Sequence, residues 1–118
     1  MLDTTEPPRR RRRQERTLLL IELHEALTAI DLRLPDWQSD ARLIHAKACR
    51  PSPSRRIADL PNEIGRLRAN IRRARQDLEE KAGQLSPKAR TDNRIADRFR
   101  SLECLMQTLD MAEAALRH

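Results

Sequence analysis

The 118-residue chain has no tyrosine, one phenylalanine, one tryptophan and only two glycines. Sheets draw on aromatic and β-branched residues and need turn residues between strands, so this scarcity argues against a sandwich or barrel. The length suits one small domain, since domains usually run to about 100–150 residues. It is too short for a Rossmann, TIM-barrel or hydrolase fold. Long apolar runs are missing too. The longest strongly apolar run is Leu18–Ile21, closed by Glu22. A membrane span needs about 20 apolar residues and a signal sequence about 7–15, so neither is expected. With two cysteines and no export signal, free thiols in a reducing cytoplasm are expected. Arginine outnumbers lysine 21 to 3, as in a GC-rich, bacterial genome.

What the chain does have is helix-forming Leu, Ala, Arg, Glu and Gln. The expected fold is all-α, a small helical bundle with one short and three long helices, the last two forming an antiparallel hairpin. Residues 1–16 read as a basic, flexible tail and residues 17–118 as one helical domain. Pro7 and Pro8 precede Arg9, Arg10, Arg11, Arg12 and Arg13, whose like charges repel at every helical spacing. Pro8 is nevertheless tolerated at a helix start, so the first helix can extend into this run.

The first long helix is expected from about Gln14 to Leu34. Its seam is Leu20, Leu23, Leu27, Ile30 and Leu34 at 3-4 spacing, widened by Leu19 and Ala26. Pro35 is expected to end it. A short helix follows from Asp36 to Cys49, with Trp37, Ala41, Ile44 and Ala48 on one stripe. Trp37 reads as a plug at the end of the bundle, with an exposed partner anchor as the other reading. Arg50–Arg56, with two prolines and two serines, reads as a loop. The next long helix should span Leu60–Ala82, capped by Asp59 and stopped by Gly83. Its seam is Ile64, Leu67, Ile71, Ala74 and Leu78. Ser86 and Pro87 then look like a cap and first residue of a last helix with the stripe Ile95, Phe99, Leu102, Leu105, Met106, Leu109, Ala112 and Leu116.

Charge is uneven along the chain. Residues 1–16 carry six arginines against three acids, and residues 50–75 carry eight arginines against two acids. Residues 17–49 and 76–118 are slightly acidic. In the 60–82 helix the arginines lie toward the N-terminus and Asp77, Glu79 and Glu80 toward the C-terminus. The helix dipole prefers the reverse, by about 0.3–1 kcal/mol per well-placed charge. A structural explanation is pairing across the hairpin. A turn near residues 85–86 would set Arg68 near Glu103, Arg75 near Asp97 and Asp77 near Arg94, with Asp110 and Glu113 near Arg55 and Arg56. A functional explanation is a phosphate-binding surface.

Motifs that carry chemistry are scarce. There is no glycine-rich phosphate loop, HExxH, CxxC or GxSxG. His45 and Cys49 have the spacing of half a zinc site, and His24 and Cys104 could complete it only through the fold. Glu22, His24 and Glu25 cluster on a helix that should be solvated there, and Asp92 and Asp97 have no catalytic spacing. No enzyme, cofactor or metal is expected. The amphipathic seams outnumber the partners that a chain this small supplies, so a homodimer is expected.

These readings point to a small regulatory or adaptor protein that binds another protein, such as a bacterial transcription regulator, through aliphatic helix faces. The candidate partner-binding residues are Leu20, Leu23, Leu27 and Ile30 on the first helix, or Ile64, Leu67, Arg68, Ile71, Arg72 and Arg75 on the third. The alternative is a nucleic-acid-binding accessory protein that uses Arg9–Arg13, Arg55, Arg56, Arg66 and Arg73. No aromatic is interleaved with these arginines to stack on bases.

Overall fold

A computed structural model describes residues 8–50, 59–85 and 92–117, with side chains from Arg13 onward. Apart from a few residues at their ends, the described residues form three helices: α1 (Pro8–Ala48), α2 (Leu60–Leu85) and α3 (Asn93–Leu116). None of these helices is long and apolar enough to cross a membrane.

The expected break at Pro35 does not occur, and one 41-residue helix replaces the expected long and short pair. Proline inside a helix costs about 3 kcal/mol, because it removes a hydrogen bond and crowds the preceding turn. Here Ile30 precedes it and Trp37, Ala41, Ile44 and Ala48 follow, all buried on one continuous stripe. Burying one large aliphatic side chain is worth about 1.5–3 kcal/mol, so the packed stripe outweighs the proline. Pro35 itself is exposed. At the other end, α1 begins at Pro8, the helix start that the sequence allowed, and takes in residues 8–16.

Gly83 does not stop α2, which continues to Leu85. Nothing in the conformation of Gly83 requires a stop there, and Ala82 just before it is fully buried. α3 begins at Asn93. Asp92 caps α3, its carboxylate accepting the Arg94 N–H at 2.9 Å while its carbonyl accepts the Ala96 N–H at 2.8 Å. The Ser86–Pro87 start lies outside the described residues, as does the loop over 51–58.

α1 packs against both α2 and α3, and these pack against each other. Glu22 of α1 meets Lys81 of α2 at 3.4 Å, while Trp37 and Ile44 lie with Leu67 and Asn70, so α1 and α2 run antiparallel. Asp31 of α1 meets Arg98 of α3, and Arg42 lies with Cys104 and Leu105, so α1 and α3 run parallel. The core is aliphatic. Ile71, Leu78, Leu102 and Leu109 are fully buried, and among the described residues no polar side chain is. Trp37 is 6% exposed and sits midway along the α1–α2 contact, not at an end.

Candidate protein-docking face

The hairpin of α2 and α3 is antiparallel, but its register lies about one heptad beyond the expected one. Arg68 binds Asp110 and Glu113, the latter at 2.5 Å, where Glu103 was expected. Arg75 reaches Glu103 at 3.3 Å, where Asp97 was expected, and also Glu79 at 3.5 Å. Asp97 and Arg94 instead have partners on their own helix, Arg100 and Asp92. Seven residues restore the same face of each helix, so the apolar seams match equally well in either register.

This network answers the unfavourable dipole order for two arginines. Arg68 is fixed first by its hydrogen bond to Glu113, which raises its pKa against the opposing effect of burial, with Asp110 adding to the rise. The Arg68 hydrogen bond and charge in turn hold the Glu113 carboxyl below its ordinary value. Arg66, Arg72 and Arg73 are exposed and form no ion pair among the described residues. Arg66 and Arg73 line the groove between α2 and α1, together with Arg33, Lys47 and the acids Asp40, Glu63 and Asp77.

The structure puts most of the aliphatic candidates inside. Leu23 and Ile30 are buried, and Leu27 packs against the core. Ile64, Leu67 and Ile71 are buried as well. A partner would reach any of them only by opening the bundle. From the first-helix set only Leu20 is exposed, at 50%. Arg13 is exposed, the side chains of Arg9–Arg12 lie outside the described ones, and Arg55 and Arg56 lie in the undescribed loop. His45 Nε2 and Cys49 Sγ are 3.6 Å apart, and among the described residues no cluster of three potential metal ligands forms. Glu22 is engaged by Lys81, while His24 and Glu25 are exposed.

A second stripe on α1 was missed. Leu18, Ile21, Leu32 and Leu43 are 60%, 50%, 74% and 55% exposed. A helix turns once in about 3.6 residues, so a step of eleven residues returns to the same face. Ile21, Leu32 and Leu43 are spaced by that step and lie on one line, with Leu18 one turn before Ile21. The buried stripe Leu23, Ala26, Ile30, Trp37, Ala41, Ile44 runs along the opposite side. The polar residues between them on the exposed line, Glu25, Asp36 and Ser39, are exposed too. The eleven-residue spacing was visible in the sequence, but the denser seam beside it drew the assignment.

In class the described residues form an all-α three-helix bundle in which α1 runs parallel to α3 and antiparallel to α2. No family model, curated protein or solved structure matches the chain.

Proposed function

We propose that this protein is a non-enzymatic regulatory or adaptor protein that docks a helix of another protein on the outer face of α1. The observation that carries the reading is the line Ile21, Leu32, Leu43 on a helix whose opposite side is already fully used by the core. Scattered surface leucines are ordinary, whereas aliphatic side chains in line on one helix face form the kind of strip another amphipathic helix covers. Arg42 on one edge of this face and Lys47 on the other would flank such a partner and set its orientation. A transcription regulator in a bacterial cytoplasm suits the size and composition.

A photo-reactive residue at position 32, in cells that produce the protein, tests the reading. The expected result is a discrete adduct with a second protein, lost on Ile21→Asp or Leu43→Asp while the helical circular dichroism is unchanged. Absence of any such adduct, or one indifferent to both changes, would count against it. The second reading, nucleic-acid binding, is favoured by Arg66, Arg72 and Arg73, which are exposed and form no ion pair among the described residues. It requires duplex DNA binding that survives physiological salt and weakens when these are changed to alanine.

A further inference from the structure

We propose that the groove between α1 and α2 at Trp37 binds a small amphipathic monocarboxylate. Its apolar body lies on the alanines beside Trp37, and its carboxylate sits between Arg33 and Arg73. This site is separate from the outer face of α1 and does not depend on that docking function.

Small side chains make the hollow. Ala26 and Ala29 on α1 and Ala74 on α2, with Ile30 and Trp37, border a cavity of about 350 Å³. Alanines on both sides of one helix contact leave the space between the backbones unfilled. The volume lies at the lower end of the roughly 300–1,000 Å³ usual for small-molecule sites, so the ligand is small. A second hollow of about 330 Å³ adjoins the first at Trp37 and Asn70.

The groove has donors without acceptors. Arg33 from α1 and Arg73 from α2 stand on its two walls, and neither forms an ion pair among the described residues. Like charges sharing one hollow repel, and an anion between them reverses the sign of that energy. Trp37 is 6% exposed, yet its indole N–H has no acceptor among the described residues and is not sealed from solvent. Trp37 borders both hollows, so this N–H opens into the groove. An indole N–H on a buried ring usually finds a partner, and a bound carboxylate supplies one.

Charge selects the ligand. Two arginines face one acid, Asp77, so the hollow carries one positive charge in excess. A monoanion balances it, whereas a doubly charged phosphate would overshoot. The planar fork of arginine also matches the two oxygens of a carboxylate. The aliphatic and indole floor requires that the rest of the ligand be apolar.

The test titrates the full-length protein with octanoate, which is transparent where tryptophan absorbs. Trp37 is the only tryptophan in a chain without tyrosine, so its emission reports this groove alone. The expected result is a saturable change in emission with a Kd of about 0.1–1 mM, as suits about ten non-hydrogen atoms in an open groove. Octan-1-ol should bind about tenfold more weakly, since it lacks the charge. Acetate, which lacks the apolar body, should have no effect. Arg33→Gln and Arg73→Gln should each weaken octanoate by about fivefold with circular dichroism unchanged. Asp77→Asn should tighten it, a gain that damage to the fold would not give. Ala74→Leu should fill the hollow and abolish binding. A response that never saturates, octan-1-ol binding as well as octanoate, or full affinity in the Arg33→Gln, Arg73→Gln double variant would overturn the proposal. Octyl phosphate binding more tightly than octanoate would overturn the assignment of a carboxylate.

Discussion

Arg98 on α3 grips Asp31 on α1 through two charge-assisted hydrogen bonds, Nε to Oδ1 at 3.0 Å and Nη2 to Oδ2 at 2.6 Å. Its remaining nitrogen, Nη1, donates to the Arg94 carbonyl at 3.0 Å, which holds the guanidinium in place. Asp31 lies four residues before Pro35, in the turn whose carbonyl has no N–H to receive from the proline. The bond to Asp31 is also the main reason the Arg98 guanidinium holds its proton more firmly than usual.

The pair therefore ties α1 to α3 beside the weakest turn of α1. Both side chains are partly exposed, at 26% and 47%, so the coupling is modest. A double-mutant cycle with Arg98→Ala and Asp31→Ala should give an interaction energy of about 1 kcal/mol in urea denaturation. Strict additivity of the two single changes would show that the geometry contributes nothing.

Glu113 gives the fold a pH dependence. Arg68 lowers its folded pKa from the ordinary 4.5, first through the hydrogen bond and then through its charge. A depressed carboxyl contributes stability above its unfolded pKa and loses it as pH falls through the folded value. The melting temperature should hold between pH 7 and 5 and decline below about 4.5. Glu113→Gln should lower the neutral-pH value and flatten part of that decline. An unaltered acid limb in the variant would assign the decline to other carboxylates.

Pro35→Ala should stabilise the protein. The site is exposed and already helical, so alanine restores a hydrogen bond and relieves the clash without opening the core. A gain of about 1–2 kcal/mol is expected, less than the full helix-interior penalty because the surroundings have adapted to the proline. A loss of stability on chemical denaturation would mean that the bundle packs around the proline's geometry.

Much of this architecture was legible in the chain. The seams Leu23–Ala26–Ile30, Ile64–Leu67–Ile71–Leu78 and Leu102–Leu105–Leu109 follow from helical periodicity, and each is buried. The all-α class followed from the scarcity of turn and strand residues. The docking strip was present but dilute, since three aliphatics at eleven-residue steps carry little signal beside a full heptad.

Local sequence determined that the chain is helical and which face of each helix is apolar, because both depend on residues within a few turns of one another. Tertiary structure decided the rest. Whether Pro35 breaks α1 depends on what Trp37, Ala41 and Ile44 pack against, since buried area outweighs the penalty only when α2 and α3 are in place. Whether Arg68 meets Glu103 or Asp110 depends on hairpin register, and a slip of seven residues leaves every apolar position facing apolar. Whether Leu23 and Ile30 serve a partner or the core depends on α1 folding back onto the hairpin. No periodicity within one helix carries that information, because the same stripe fits an internal or an external neighbour equally well.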